Sequence, residues 1–407
     1  MQKKTVCVVG LGYIGLPTAA LLASNGFNVV GVDLNANAVE TINQGRIHIV
    51  EPDLDAFVRS AVAARRLTAF VTPQPGDVYM ICVPTPFHEG GGIPQPNIDY
   101  VLAATRSIAG FVKPGDFVIL ESTSPVGTTE KMGALLNDAG VDTSQIHMAY
   151  CPERVLPGKI MIELVENDRV VGGLTPAATQ AVSGFYRTFV RGAVLETDAK
   201  TAEMCKLTEN SFRDVNIAFA NELSILCAKS GIDVWNLIAL ANRHPRVNIL
   251  QPGAGVGGHC IAVDPWFIVA GDPENARIIR TAREVNNFKT EWAIDQIKIA
   301  VADAYARTGR KPKIACLGLA FKPDIDDLRE SPAVHIADEL VTKGYDVVAV
   351  EPNIEAHDKF ALVSLEDALK TADVIAVLVK HRAFLDDAVK AALRQRSAVD
   401  FCGVGFG

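Results

Sequence analysis

The sequence predicts an α/β protein with two Rossmann-like, doubly wound domains joined by a long central helix. Three observations lead to this prediction. Short apolar runs alternate with helical patterns over the first 150 of the 407 residues, and the same alternation returns from residue 313 onward. Between these two regions, positions 201–228 contain no glycine or proline. We therefore divide the chain into three segments, 1–198, 199–300 and 301–407.

The predicted strands are near-continuous apolar runs, which are typical of parallel strands buried on both faces of a sheet. They lie at 5–10, 28–33, 78–83 and 117–122 in the first segment, and at 313–321, 346–352 and 374–381 in the last. The stretches between them, such as "GLPTAALLASNG", have helical patterns. Helices on both faces of a parallel sheet are therefore expected in each domain.

The central helix is predicted from the 201–228 stretch, whose second half, "VNIAFANELSILCA", is apolar around most of the helical wheel. A helix that is apolar all round is typically buried. We interpret it as the connector between the domains and as part of a subunit interface. An ordinary core helix of one domain is the alternative.

Composition limits the partners and the compartment. The net charge is −8 without a basic block, which argues against nucleic acid or an anionic membrane as a partner. There is no run of about 18 apolar residues that would predict a membrane span. The start, "MQKKTVCVVG", leads directly into a strand pattern and lacks a cleavable signal. The eight cysteines are scattered without a CxxC pair, so neither a metal site nor a disulfide framework is predicted, and we expect the cytoplasm.

The first predicted strand leads into a glycine motif. Gly10, Gly12 and Gly15 have GxGxxG spacing, a helical pattern follows, and the second strand ends in Asp33. This combination is the fingerprint of a dinucleotide-binding turn, in which the helix N-terminus favours the pyrophosphate. Asp33 would accept hydrogen bonds from ribose hydroxyls, which favours NAD over NADP. A glycine turn without a ligand is the alternative.

Two further motifs end predicted strands, "CVPTPF" at 82–87 and "ESTSPVGTT" at 121–129. Ligands of open α/β sheets bind at the carboxyl ends of the strands, which predicts that both motifs face the cofactor. Ordinary strand–helix turns also use proline, serine and threonine, and this alternative stays open.

Basic residues cluster in the second half of the chain. Lys206, Asn210 and Arg213 are spaced to share one face of the central helix. Further basic groups are Arg243, His244 and Arg246 before a glycine run, and Lys322 and Arg329 after a predicted strand. In an acidic protein, such clusters together indicate a polyanionic ligand such as a diphosphate, although each cluster alone is more often solvated surface charge.

Cys260 is the candidate nucleophile. It lies in "QPGAGVGGHCIAVDPW", where glycines let the backbone come close to a ligand. A thiol with an ordinary pKa of about 8.5 is only slightly ionised at neutral pH, and a neighbouring cation such as Lys206 would raise that fraction. Beside bound NAD, a thiol can add to an aldehyde, and the thiohemiacetal can then be oxidised to a thioester. A structural, inert cysteine is the alternative.

Eight motifs together resemble the UDP-glucose/GDP-mannose dehydrogenase family over nearly the whole chain. In order, they are "GLGYIGLP", "VPTP", "STSPVGTTE", "CPER", "KLTEN", "AFANEL", "GVGGHCIAVDP" and "FKPDIDDLRESP". The resemblance implies oxidation of a sugar C6 alcohol through an aldehyde to a carboxylate, with two NAD per substrate. It also implies an NAD-binding domain at 1–198, a central helical and dimerisation region with the cysteine loop at 199–300, and a UDP-sugar-binding domain at 301–407.

Within the family, positions 242–267 are most similar to the members that oxidise UDP-N-acetyl-D-mannosamine for surface polysaccharide synthesis. UDP-N-acetylglucosamine and UDP-glucose are alternative substrates. A hydroxyacid-type dehydrogenase needs no cysteine, and a non-catalytic nucleotide-binding protein leaves the motifs around Cys260 unexplained. The family is typically dimeric or larger, so we expect a homodimer or a higher homo-oligomer.

The resemblance also implies roles for individual residues. Cys260 is the nucleophile, Lys206 and Asn210 assist proton movement and stabilise the oxyanion, and Glu153 and Asp264 support the hydrolytic water, while Thr123 borders the nicotinamide or that water. The cofactor-contacting positions are Gly10, Gly12, Tyr13, Ile14, Gly15, Asp33, Thr85, Thr123 and Arg329. The substrate-contacting positions are Arg154, Val155, Lys206, Asn210, Arg213, His244, Arg246, Gly257, Phe321 and Lys322.

One departure concerns the last predicted strand. In the family it commonly ends in Asp-Thr followed by a basic residue that reaches the substrate, whereas this chain has Phe401 and Cys402 in those places. We therefore expect that contact to be missing or to be supplied by another residue.

Overall fold

A computed structural model describes residues 4–88, 90–258, 260–396 and 398–405. The chain divides into two compact units, Met1–Thr208 and Glu209–Gly407, and the division falls within one long helix. We refer to them as unit 1 and unit 2. The three-segment division at 198 and 300 stays a prediction. None of the described helices is long and apolar enough to cross a membrane.

Unit 1 contains an eight-stranded sheet within the described residues, in the order β3-β2-β1-β4-β5-β6-β7-β8. Its strands are β1 Thr5–Val9, β2 Asn28–Val32, β3 Leu67–Phe70, β4 Val78–Ile81, β5 Phe117–Leu120, β6 His147–Tyr150, β7 Arg169–Gly173 and β8 Val194–Asp198. Its helices are α1 Gly15–Ser24, α2 Ala36–Asn43, α3 Leu54–Ala63, α4 Asp99–Ile108, α5 Thr128–Asp138, α6 Ile160–Glu166 and α7 Pro176–Tyr186, with a 3-10 turn at Thr143–Gln145.

The sheet of unit 1 separates two apolar cores. Val6 and Val8 of β1 pack into one cluster, and Cys7 and Val9 into the other. Successive side chains of a strand point to opposite faces, so both faces of this strand are covered. The predicted doubly wound α/β architecture is confirmed.

The expectation of an entirely parallel sheet is wrong at one pair of strands. β6 and β7 are antiparallel, and β8 runs parallel to β7. β6 and β7 are joined by residues 151–168, which return the chain to the neighbouring position in the opposite direction. β3, β6, β7 and β8 were not among the predicted strands, because their short segments lack the continuous apolar pattern of β4 and β5.

The predicted central helix is confirmed as α8, Ala199–Ser230. Within the single chain its second half is not buried all round, because Phe219 and Leu226 expose 58% and 55% of their surface, and burial of this face in a subunit interface stays a prediction. The buried positions of that half include the small or polar residues Ala218, Asn221 and Ser224. Small and polar side chains allow a close approach to the neighbouring helix, whereas the large apolar side chains lie on the uncovered face.

Unit 2 holds a five-stranded parallel sheet within the described residues, in the order β11-β10-β9-β12-β13. Its strands are β9 Lys313–Leu317, β10 Asp346–Val350, β11 Ala361–Leu362, β12 Val374–Val377 and β13 Val399–Asp400. Its helices are α9 Val234–Ala241, α10 Asp264–Gly271, α11 Arg277–Thr308, α12 Pro332–Thr342, α13 Leu365–Thr371 and α14 Asp387–Gln395, with a 3-10 turn at Arg382–Phe384. The order matches that of β3-β2-β1-β4-β5 in unit 1.

The two sheets share the turn that follows their first strand. Gly10 has φ +93° and donates its N–H to the Val32 carbonyl at 2.8 Å, and Gly318 has φ +92° and donates to the Val350 carbonyl at 2.8 Å. Both glycines adopt a left-handed conformation that disfavours other residues. The two α/β domains are therefore related in architecture, although their sequences show no repeat.

An acid follows the second strand in both units, but the two acids have different surroundings. Asp33 accepts the Leu11 N–H at 2.9 Å and is half-buried. Glu351 accepts the Leu319 N–H at 2.7 Å and also lies 3.0 Å from Nε2 of the fully buried His381. In unit 2 this acid is thus engaged by a buried histidine, whereas the acid of unit 1 is half-buried and accepts a backbone N–H.

Candidate active site

The glycine turn of unit 1 has a separate structural requirement at each glycine. A Cβ at Gly10 would lie 2.7 Å from the Cys82 carbonyl oxygen, and one at Gly15 would lie 1.7 Å from the Gly10 carbonyl oxygen. At Gly12, no described heavy atom lies within 4 Å of the Cβ position. Among the described residues, no side chain caps the N-terminus of α1. The open position at Gly12 and the uncapped helix end fit the pyrophosphate of a dinucleotide.

We expect Gly12→Ala to affect NAD binding and Gly15→Ala to affect thermal stability. Gly12→Ala should leave the melting temperature unchanged, because the new methyl group enters open space, and it should weaken NAD binding at least about 10-fold, because the cofactor needs that space. Gly15→Ala should lower the melting temperature, because overpacking costs about 1–3 kcal/mol. NAD titration and thermal unfolding of both variants test this. Wild-type NAD affinity in Gly12→Ala would contradict the assignment.

The strand ends beside the turn carry the other predicted cofactor positions. Thr85 follows β4 and donates its hydroxyl to the Thr123 carbonyl after β5 at 2.7 Å. Tyr13 is exposed at the glycine turn, and Asp33 is half-buried at the end of β2. The structure thus brings Thr85 and Thr123 together at the carboxyl edge of the sheet, where ligands of open α/β sheets bind.

Glu153 is buried immediately after β6. One carboxylate oxygen accepts the Arg154 N–H at 3.0 Å, and the other accepts Nη1 of Arg169, which begins β7. Arg154 itself is half-buried and donates through Nη2 to the Asp168 carbonyl, and Val155 packs against the core. A carboxylate oxygen has two lone pairs, so each oxygen of Glu153 can accept one further bond.

Glu121 is a buried acid that sequence reasoning missed. It follows β5 and accepts the Tyr186 hydroxyl at 2.6 Å and the Cys82 thiol at 3.3 Å. Burial raises the pKa of Glu121 to about 7, the negative charge of Glu153 adds to this shift, and Arg169 opposes it. An acid that ends an apolar run, as in "FVILES", is the signal that could have identified it, because buried charges need partners.

In unit 2, Cys260 is an exposed thiol at the end of the glycine loop. Its carbonyl accepts the Asp264 N–H at 2.8 Å, so it lies one helical turn ahead of α10. Asp264 is buried and accepts Nδ2 of Asn210, also buried, at 2.6 Å. Lys206 is buried one turn before Asn210 on α8. Asn210 and Asp264, both predicted to be catalytic-site residues, are therefore in direct contact.

In that loop glycine is required because neighbouring segments of the chain leave no room for a side chain, in addition to any space that a ligand needs. A Cβ at Gly257 would lie 2.4 Å from the Glu330 carbonyl oxygen and 2.9 Å from the Phe321 Cβ. A Cβ at Gly258 would lie 2.9 Å from the Phe321 ring. The cysteine loop therefore rests directly on the segment that carries Phe321.

Most of the predicted basic positions lie in solvent. Arg213, His244, Arg246 and Lys322 are exposed, and the Arg246 N–H donates to Nδ1 of His244 at 3.3 Å. Arg329 is also exposed and forms an ion pair with Asp327 at 2.6 Å in its own loop. Exposed side chains of this kind are accessible to a ligand.

The departure at the last strand is explained by burial. Phe401 packs edge-on against Trp292 with ring centroids 6.0 Å apart, and Cys402 donates its thiol to the Leu378 carbonyl at 3.0 Å. Both side chains belong to the core of unit 2. Neither is positioned to replace the family's basic residue.

The glycine turn, the acid after β2 and the open strand ends define unit 1 as a dinucleotide-binding domain and the chain as an NAD-dependent oxidoreductase. The chain belongs to the UDP-glucose/GDP-mannose dehydrogenase family. Its NAD binding domain matches residues 4–190, its central domain residues 200–288 and its UDP binding domain residues 315–404.

Characterised relatives cover almost the whole chain. A UDP-N-acetyl-D-mannosamine dehydrogenase of Escherichia coli (strain K12) is 57% identical over 403 residues, covering 94% of this chain and 95% of the relative. An NDP-N-acetyl-D-galactosaminuronic acid dehydrogenase of Ralstonia nicotianae is 55% identical, with coverage of 94% and 92%. The solved UDP-N-acetyl-mannosamine dehydrogenase of Staphylococcus aureus is 42% identical, with a TM-score of 0.84 and coverage of 94% and 90%.

Proposed function

We propose that this chain oxidises the C6 hydroxyl of UDP-N-acetyl-D-mannosamine to a carboxylate, giving UDP-N-acetyl-D-mannosaminuronate for surface polysaccharide synthesis. The observation that carries the proposal is the placement of Cys260, an exposed thiol one helical turn ahead of the buried Asn210–Asp264 pair. The 57% identity to the E. coli enzyme supports the substrate. The UDP binding domain at 315–404 supports a nucleotide sugar.

Bound NAD would supply the acceptor for both oxidations, held by Gly10, Gly12 and Gly15, with Asp33 on the ribose. The chain's own residues do the rest. Cys260 forms a carbon–sulfur bond to the aldehyde carbon, and the thiohemiacetal becomes a thioester on oxidation. Lys206 and Asn210 stabilise the oxygen that becomes negative, and Glu153 and Asp264 hold the water that hydrolyses the thioester.

A second candidate substrate is a nucleotide-linked N-acetylgalactosamine sugar, because the Ralstonia relative is nearly as similar at 55% identity. UDP-N-acetylglucosamine and UDP-glucose remain alternatives. These sugars differ only in ring configuration or in the group at C2. A pocket distinguishes such differences through a few hydrogen bonds.

A substrate panel tests the proposal. The protein is incubated with NAD and, separately, each of the four UDP-sugars, and NADH is measured per sugar consumed. We expect two NADH per sugar and the highest kcat/KM with UDP-N-acetyl-D-mannosamine. One NADH per sugar would indicate a simple alcohol dehydrogenase. Binding without NADH formation would indicate a nucleotide-binding protein, and a reaction without sugar is the control.

We also propose a homodimer formed through α8. Phe212, Phe219 and Leu226 are spaced seven residues apart and expose 67%, 58% and 55% of their surface. A repeat of seven places them on one helix face, as in helices that pack along their length. Sedimentation equilibrium gives the oligomeric state.

The cytoplasm is the proposed compartment, because NAD and nucleotide sugars are made there and all eight cysteines are thiols.

A further inference from the structure

The buried carboxylate of Glu153 forms an ion pair with the guanidinium of Arg169. Both side chains are almost fully buried, with exposures of 5% and 3%. The antiparallel pairing of β6 and β7 aligns Tyr150 with Gly172, and continuing that register places Glu153 opposite Arg169. The pair therefore results from the one strand reversal in the sheet of unit 1, which brings the end of β6 beside the start of β7.

Arg169 is itself held in place from other directions. Its Nη2 donates to the Leu164 carbonyl of α6 at 2.9 Å, and its Cζ lies 5.7 Å from the centre of the Tyr186 ring. Desolvation is the largest single effect on the pKa of Arg169 and lowers it, but the charge of Glu153, together with the smaller contributions of Cys151, Glu121 and Tyr186, raises the pKa overall. A charged, anchored guanidinium fixes both the position and the orientation of the carboxylate that it binds.

The second acid of this interior is Glu121, and the charge of Arg169 also acts on it, opposing the rise of its pKa. It is engaged by the Tyr186 hydroxyl and the Cys82 thiol. Because burial raises its pKa to about 7, Glu121 is partly protonated at neutral pH. Of these two acids, Glu153 is the one that accepts a hydrogen bond from Arg169 among the described residues.

We propose that Arg169 is a positioning residue for thioester hydrolysis, acting through Glu153 by holding its carboxylate so that the remaining lone pairs face the water. This inference rests on the proposed function, in which Glu153 supports that water. In the step concerned, the water oxygen bonds to the carbonyl carbon and the carbon–sulfur bond breaks. The sulfur leaves as the Cys260 thiolate. The water gives up both of its protons to solvent, one as its oxygen bonds to the carbon and the other when the new carboxyl group ionises.

The proposal predicts that Arg169→Gln slows hydrolysis selectively. Uronate release should fall by about 10- to 100-fold, since misplacing a reacting group by about 1 Å can cost 100-fold. The acylated form of Cys260 should accumulate and be detectable by intact-protein mass spectrometry after acid quenching. The KM for the nucleotide sugar and the affinity for NAD should stay at wild-type values, and Arg169→Lys should recover part of the rate.

A double-mutant cycle separates this role from a structural one. Glu153→Gln alone and Glu153→Gln combined with Arg169→Gln should hydrolyse the thioester at the same rate, because Arg169 acts only through Glu153. The double variant removes both members of the Glu153–Arg169 ion pair, so neither is left buried without the other, and it tests the proposal even where Arg169→Gln alone does not fold. Arg187→Gln is the matched control, since Arg187 pairs with Glu196 at the surface.

Three results would overturn the proposal. Arg169→Gln could release uronate at the wild-type rate, or it could lower NAD affinity and both oxidation steps equally, as a structural defect would. The double variant could also hydrolyse the thioester more slowly than Glu153→Gln. Failure of the proposed function is distinguishable, because wild-type protein would then release no uronate and form no adduct on Cys260.

Discussion

Replacing Cys260 by alanine is expected to lower uronate formation at least about 1,000-fold while NAD binding and the fold are retained. Loss of a covalent nucleophile removes the thioester route altogether, and comparable nucleophile deletions have effects of this size or larger. The exposed position of Cys260 means that the smaller side chain leaves no internal cavity. Uronate and NADH are measured together, and NAD affinity is titrated separately.

Cys227→Ala is the matched control for this experiment. Cys227 is a buried thiol of α8 that packs in a small apolar cluster with Val234 and Ile238. Its loss should cost some stability and leave turnover close to the wild-type value. Unchanged uronate formation in Cys260→Ala would refute the nucleophile assignment, whereas equal losses in both variants would point to general damage.

The parts of this protein that were predictable from sequence are those set by neighbouring residues. The turn at Gly10 requires a left-handed conformation, and Gly15 packs against the Gly10 carbonyl, so the motif and its geometry depend on about six consecutive positions. The continuous apolar runs of β4 and β5 follow from burial on both faces. The long helix α8 follows from the absence of glycine and proline.

The parts that could not be predicted depend on contacts between distant segments. Glu153 and Arg169 form an ion pair only because β7 runs antiparallel to β6. No pattern in the neighbouring sequence predicts that change of strand direction. Glu121 meets Tyr186 across 65 positions of sequence. The exposed face of α8 is a related case, because an apolar helical wheel does not show which side packs against the same chain and which side is left for another.

The second large expected effect is a loss of folding stability when a buried ion pair in the interior of unit 2 is broken. Asp214 of α8 and Arg283 of α11 form a buried ion pair at 2.7 Å, and Nδ2 of Asn286 also donates to Asp214 at 2.8 Å. The network continues from Asn286 to Asn221 at 2.9 Å, and Asn221 accepts the Gly253 N–H at 2.9 Å. The chain of bonds thus links the two long helices to the start of the cysteine loop.

Arg283→Met is expected to destabilise the protein by about 3–5 kcal/mol, because it leaves the Asp214 carboxylate buried without its counter-ion. Desolvation already raises the pKa of Asp214, and Arg283 is the main group that opposes this shift. Urea unfolding, followed separately by the fluorescence of the three tryptophans and by circular dichroism, measures the loss. Since two compact units are present, agreement between the two probes is required before a single free energy is assigned.

Arg280→Met provides the control on the same helix. Arg280 pairs with Glu284 at 2.8 Å, but the two side chains are 47% and 53% exposed, so its loss should cost less than about 1 kcal/mol. Replacing both partners, as Asp214→Leu with Arg283→Met, should recover much of the stability, because no unpaired charge remains. Equal losses from Arg280→Met and Arg283→Met would contradict the argument, since burial is the property that separates the two ion pairs.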